Sequence, residues 1–103
     1  MADEDRKRAA QRALVRRILT GDGRASPELR RNAFDDGEVP PSLQELVAKV
    51  VASPTRVTDA DFDAGKAAGF NEDQLFELVI CAAVGEATRQ YEAGLAALDE
   101  AVG

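Results

Sequence analysis

A chain of 103 residues supports one core and buries roughly 60–65% of its unfolded surface, so a second domain is excluded. With 45% hydrophobic and 31% charged residues it reads as a globular rather than a disordered chain. It has no histidine, which removes the Ser-His-Asp triad, histidine-ligated metal sites and the usual general base near neutral pH. The single cysteine, Cys81, excludes an intrachain disulfide and fits a reducing, cytoplasmic setting. The longest apolar run, Leu78–Gly85, is far shorter than the ~20 residues of a membrane span. Met1-Ala-Asp-Glu-Asp opens acidic with no apolar run behind it, so no secretory leader is expected.

The net charge of −6 is unevenly placed. Residues 1–31 carry nine Lys/Arg against five Asp/Glu, and residues 32–103 carry four against fourteen. A basic arm on an acidic body can dock on its own body, on a twin subunit or on an acidic partner. Nucleic acid is the disfavoured partner. The arm's Arg6, Lys7, Arg8, Arg12, Arg16 and Arg17 have no aromatic residues between them, and the acidic remainder repels phosphates.

From about Asp3 to Thr20, Ala10, Ala13, Leu14 and Ile18 recur at helical spacing, and Gly21-Asp22-Gly23 stops the helix. Ser26 as N-cap and Pro27 at the first position open a second helix with Leu29, Ala33 and Phe34 on its apolar side; Asp36-Gly37 ends it. Acids at Asp35, Asp36 and Glu38 read as a solvated turn beside a basic neighbour such as the first helix. Pro40-Pro41 restarts the chain. From Ser42, Leu43, Leu46, Val47, Val50 and Val51 form one continuous stripe that Ser53-Pro54-Thr55 breaks.

Thr58 caps a brief helix bearing Asp59, Asp61 and Asp63, closed by Gly69. The acid triplet resembles the start of a calcium loop, but Ala64 and Phe70 stand where that loop needs glycine and a bidentate glutamate; helix capping is the reading, and no metal site is expected. Asn71 and Gln74 form a capping box, with Phe70 stapled towards Leu75, for a last helix running from Glu72 towards Glu100. Its centre is apolar nearly all round, which places it in the middle of a bundle. Ala82, Ala83 and Gly85 are small enough for a neighbouring helix to approach closely. No segment alternates with period two, so the chain is all-α. It reads as a single helical domain over 1–103, with a basic N-terminal helical arm (1–20) and a helical core (42–100) built on Leu43, Leu46, Val47, Val50, Leu75, Leu78, Val79 and Ala82.

Four residues carry the candidate chemistry. Glu77 lies within the most apolar stretch, one turn before Cys81, where a carboxylate has a raised pKa and can shuttle a proton unless Arg89 or Lys49 pairs with it. Cys81 reads as a small buried hydrophobe; as a nucleophile or redox sensor it needs an accessible, electropositive setting. Arg89 reads as part of a Glu86–Arg89–Glu92 ladder or as an anion clamp. Tyr91, the sole tyrosine, is a polar handle at an interface.

Ala68-Gly69, the capped turn Asn71–Asp73, the run Leu75-Phe76-Glu77 through Ala82-Ala83, and Arg89 followed by Ala93-Gly94-Leu95 resemble the carboxymuconolactone decarboxylase and alkyl hydroperoxidase D-like family. The likeness covers about Leu43 to Leu98, roughly half the chain. It implies an alkyl hydroperoxidase D-like helical bundle and a tendency to form homo-oligomers. Peroxidatic members carry Glu-x3-Cys-x2-Cys-x3-His, in which a glutamate, a histidine and water relay protons to a dithiol. Laid on this chain, the frame falls on Glu77, Cys81, Val84 and Thr88, and only the first two match. In a second register Phe70–Val84 matches the segment after that dithiol helix, Thr58–Ala68 replaces the helix, and Cys81 has no catalytic counterpart. Dithiol peroxidase chemistry is absent in both. The leading reading is therefore a homo-oligomeric binding or accessory subunit, without a cofactor, in which the basic first helix is expected to wrap a neighbour's acidic surface. The alternative is a residual decarboxylase-type enzyme with Glu77 as proton donor or acceptor, Arg89 holding a substrate carboxylate and Tyr91 orienting it.

Overall fold

The computed structural model describes residues 2–103. Among the described residues there are five α-helices and one 3-10 turn, and no strand. The helices are α1 (Ala2–Thr20), α2 (Pro27–Phe34), α3 (Pro41–Ala52), α4 (Asp59–Ala67) and α5 (Glu72–Val102), with the 3-10 turn at Pro54–Arg56. No helix is long and apolar enough to cross a membrane.

The caps act where the sequence puts them. Ser26 Oγ accepts the Leu29 N–H at 3.1 Å, opening α2 on Pro27. Asn71 Oδ1 accepts the Gln74 N–H and Gln74 Oε1 accepts the Asn71 N–H, both at 2.8 Å, opening α5. Gly69, at φ +104°, ends α4 in the left-handed conformation, with the Phe70 N–H donating back to the Gly65 carbonyl. At the end of α2 that conformation falls on Asp36 (φ 55°) rather than on Gly37, whose N–H donates to the Asn32 carbonyl. Asp is among the few residues that tolerate it.

Leu43, Leu46, Val47 and Val50 of α3 meet Leu75, Leu78, Cys81 and Ala82 of α5, joined by Leu19, Ala25, Ala33 and Phe34 from α1, α2 and the loop between them. Each fully buried leucine contributes about 1.5–3 kcal/mol relative to exposure. Gly65 lets α4 close on this core, because a Cβ there would lie 2.6 Å from Leu75 Cδ2. Val79, expected in the core, is half-buried at its edge.

Two expectations change. The second half of α1 belongs to this chain's own core: Leu19 is buried, Val15 and Ile18 pack against the cluster, and Gln11 Nε2 donates to Thr88 Oγ1 at 2.9 Å. The arm is thus tied to its own subunit and is not free along its length to wrap a neighbour. Nor is α5 surrounded. Phe76 is 50% and Ile80 51% exposed on the side away from α2 and α3, because four shorter helices do not suffice to enclose a helix about 46 Å long. The molecule measures 50 × 28 × 20 Å with a radius of gyration of 15.4 Å, against about 13 Å for a compact chain of this length.

Candidate functional site

Glu77, Cys81, Gly85 and Arg89 recur at every fourth position of α5, so they share one face. That face receives α2. Gly85 is the point of closest approach: a Cβ there would overlap the Phe34 carbonyl at the end of α2, so only glycine lets the two backbones touch.

Glu77 sits at the start of α2. Its carboxylate accepts the Arg24 N–H at 2.7 and 2.8 Å and the Ala25 N–H at 2.6 Å, in the loop between α1 and α2. Neither Lys49 nor Arg89 is its partner; main-chain amides are. Gln74 Nε2 adds a donation to the Arg24 carbonyl at 3.2 Å. The loop is therefore fastened to the first turns of α5 through donors that every non-proline residue carries.

Beneath the same loop lies Arg30, 5% exposed, whose Nη1 donates to the carbonyls of Ile18 (3.0 Å) and Gly21 (2.9 Å). These are carbonyls at the end of α1, where a cation offsets the helix dipole. Arg30 was not singled out in the sequence. It falls three and four residues before Ala33 and Phe34, on the apolar face of α2, and that position is the signal that marks it as buried.

Cys81 is 1% exposed and lies between these elements. Burial pushes its thiol above the ordinary value of 9.0; the nearby Arg30 guanidinium pulls the other way and the Glu77 carboxylate adds to the rise. A thiol so placed is neither accessible nor activated.

Arg89 closes the far end. Its Nη1 donates to the Phe34 carbonyl at 2.6 Å, while Nε and Nη2 hold Glu86 Oε2 at 3.3 and 3.1 Å. That hydrogen bond from Arg89 holds the Glu86 carboxyl below its ordinary value. Arg89 thus places a cation at the C-terminal end of α2. Tyr91, 40% exposed, lies apart, beside a groove of about 330 Å³ between α1 and the outer half of α5. Glu77 and Arg89 stand twelve residues apart, about 18 Å along the helix, so one protomer does not bring them to a common substrate.

Asp61, the central acid of the triplet, accepts the Thr58 N–H at 2.8 Å and is bridged by Lys49 Nζ at 3.0 and 3.1 Å. It is a helix cap tied to α3. Among the described residues no three Cys, Asp or Glu side chains gather as a metal-binding group.

Comparison with family models, with curated proteins and with solved structures finds no match to this chain.

Proposed function

We propose that this chain is a diverged alkyl hydroperoxidase D-like, carboxymuconolactone decarboxylase-like protein that works in the cytoplasm as a homo-oligomeric binding or accessory subunit, without dithiol peroxidase chemistry. The observation that carries this reading is the use made of the Glu77–Arg89 face. The carboxylate in the family-like position takes three main-chain hydrogen bonds, the thiol is enclosed, and the arginine holds a helix end. Glu77 and Arg89 are already occupied in holding α2 to α5, and Cys81 is enclosed between them. The quoted pieces form one continuous unit, in which α4 ends at Gly69 and the Asn71 cap leads into α5.

Two measurements on the full chain test the proposal. Sedimentation equilibrium over the micromolar range is expected to give a multiple of the protomer mass; a monomer throughout would overturn the homo-oligomer. Incubation with an organic hydroperoxide and a dithiol is expected to give no consumption above the uncatalysed rate. Turnover that disappears in Glu77→Gln would overturn the non-catalytic reading.

A further inference from the structure

The outer face of α5 is open, and from Phe76 to Val102 it is apolar. Phe76 (50% exposed), Ile80 (51%), Tyr91 (40%), Leu98 (58%) and Val102 (78%) point to the same side. Ala83, Ala87 and Gly94 lie between them, all exposed. At 100° per residue these eight positions span a sector of about 100°, and no charged residue between Gln74 and Gly103 falls inside it. A helix apolar on its inner and its outer face belongs inside a core, and one protomer covers the inner side but leaves the outer largely open, with Phe62 of α4 standing against Phe76 at a ring-centroid distance of 5.5 Å.

We propose that a second copy of this chain covers this face, with the two α5 helices packed antiparallel about a two-fold axis level with Arg89. The proposal rests on the homo-oligomer reading above and specifies its surface. The order of residues supports it. Reversed about position 89, Phe76 meets the partner's Val102, Ile80 meets the partner's Leu98, and Ala87 meets the partner's Tyr91. Large side chains thus close the two ends, and each tyrosine lies over an alanine near the axis. This is the self-complementarity that a two-fold interface requires. Area supports it too. The open parts of the five large side chains amount to roughly 500 Å², and with the residues between them the face reaches what each partner of a specific dimer contributes, about 600–800 Å². Charge agrees as well. α1 lies on the same flank of α5 as the Glu77 loop, and the two-fold keeps it there. The basic start of α1 then lies towards the partner's Asp22 and Asp73, which offsets part of the repulsion between two chains of net charge −6.

The test uses Ile80→Glu and Leu98→Lys in the full chain. Both positions are more than half exposed, so each variant is expected to keep the wild-type helical circular dichroism. The wild type is expected to sediment as a dimer. Each variant alone is expected to weaken dimerisation by more than about tenfold, because a charge is buried against an apolar partner. Mixed in equal amounts, the two variants are expected to regain the dimer, since one Glu–Lys pair and one Ile–Leu pair then form. A wild-type oligomer unchanged by either variant would overturn this face and leave the homo-oligomer reading standing. Two monomeric variants that fail to recombine would overturn the antiparallel register. A wild-type monomer would overturn both readings.

Discussion

Glu77 and Arg89, twelve residues apart on α5, hold opposite ends of the same short helix. Glu77 takes the main-chain amides just before α2, and Arg89 donates to the carbonyl of its last residue, Phe34. An eight-residue helix is marginal alone, so α2 depends on these two attachments and on the apolar side between them. Replacing Glu77 by Gln removes the charge from three accepted hydrogen bonds and is expected to cost about 2–3 kcal/mol. Hydrogen exchange should show the Arg24 and Ala25 amides losing protection first. Arg89→Met is expected to cost less, about 1 kcal/mol, because two of its three hydrogen bonds go to Glu86 on its own helix. The double variant should fall short of the sum, since both changes release one element.

The backbone contact at Gly85 gives a sharper prediction. Gly85→Ala drives a methyl group into the Phe34 carbonyl, and main chain has no rotamer by which to move aside. The expected loss is about 3 kcal/mol or more, seen as a lower denaturant midpoint. Gly65→Ala meets the end of the Leu75 side chain, which can rotate, so its loss should be smaller, about 1 kcal/mol.

Stability should vary with pH through the Lys49–Asp61 pair. The Thr58 amide and then Lys49 lower the Asp61 carboxyl below 3.8, so its contribution is complete above 3.8 and fades as pH falls through the lower folded value. The hydrogen bond to Asp61 raises Lys49 above 10.5, so that contribution is complete below 10.5 and fades as pH rises through the folded value. Between 4.5, below which the Glu86 contribution starts to fade, and 9.0, above which the unfolded chain's Cys81 ionises, Tm should be nearly flat, with no histidine to titrate. Asp61→Asn should lower Tm by several degrees on this plateau, and the gap to wild type should narrow on acidification below 3.8.

Cys81 should behave as core. In the native protein it is expected to react with an aromatic disulfide reagent no faster than the chain opens, and fully once denatured. Cys81→Ala should fold, at a cost of about 1 kcal/mol for the small cavity left. Prompt labelling of the native state would mean that α2 lifts away from α5 far more readily than its attachments imply.

These results separate what the sequence displays from what it hides. Caps are displayed: Ser26, Asn71 with Gln74, and Gly69 each act where their side chains or backbone freedom demand. So is the stripe of α3, of which Leu43, Leu46, Val47 and Val50 are buried and Val51 is half-buried. Gly85 was legible as a place for close approach, although its neighbour Ala83 faces outward. Hidden are the main-chain partners of Glu77, Arg30 and Arg89, whereas the Glu86–Arg89 pair was legible from its spacing. All three bind main-chain groups, which are alike at every residue and leave no mark on the sequence. An acid in an apolar run therefore looks like chemistry until the fold brings a loop to it. The open face of α5 was hidden for a different reason. Apolar composition shows that a helix must be covered, but not that its own chain is too short to cover it.

The attachment of α2 also fixes an order of events. Its contacts to Glu77 and Arg89 join residues 52 to 55 positions apart, whereas the Lys49–Asp61 bridge and the caps of α4 and α5 close over 12 positions or fewer. Short loops close first because they forfeit less chain entropy. The unit of α3, α4 and the start of α5 can therefore assemble while α2 is still unwound. α2 then winds on a template that α5 has already provided, and α1, whose Gln11–Thr88 bond spans 77 positions, docks after it.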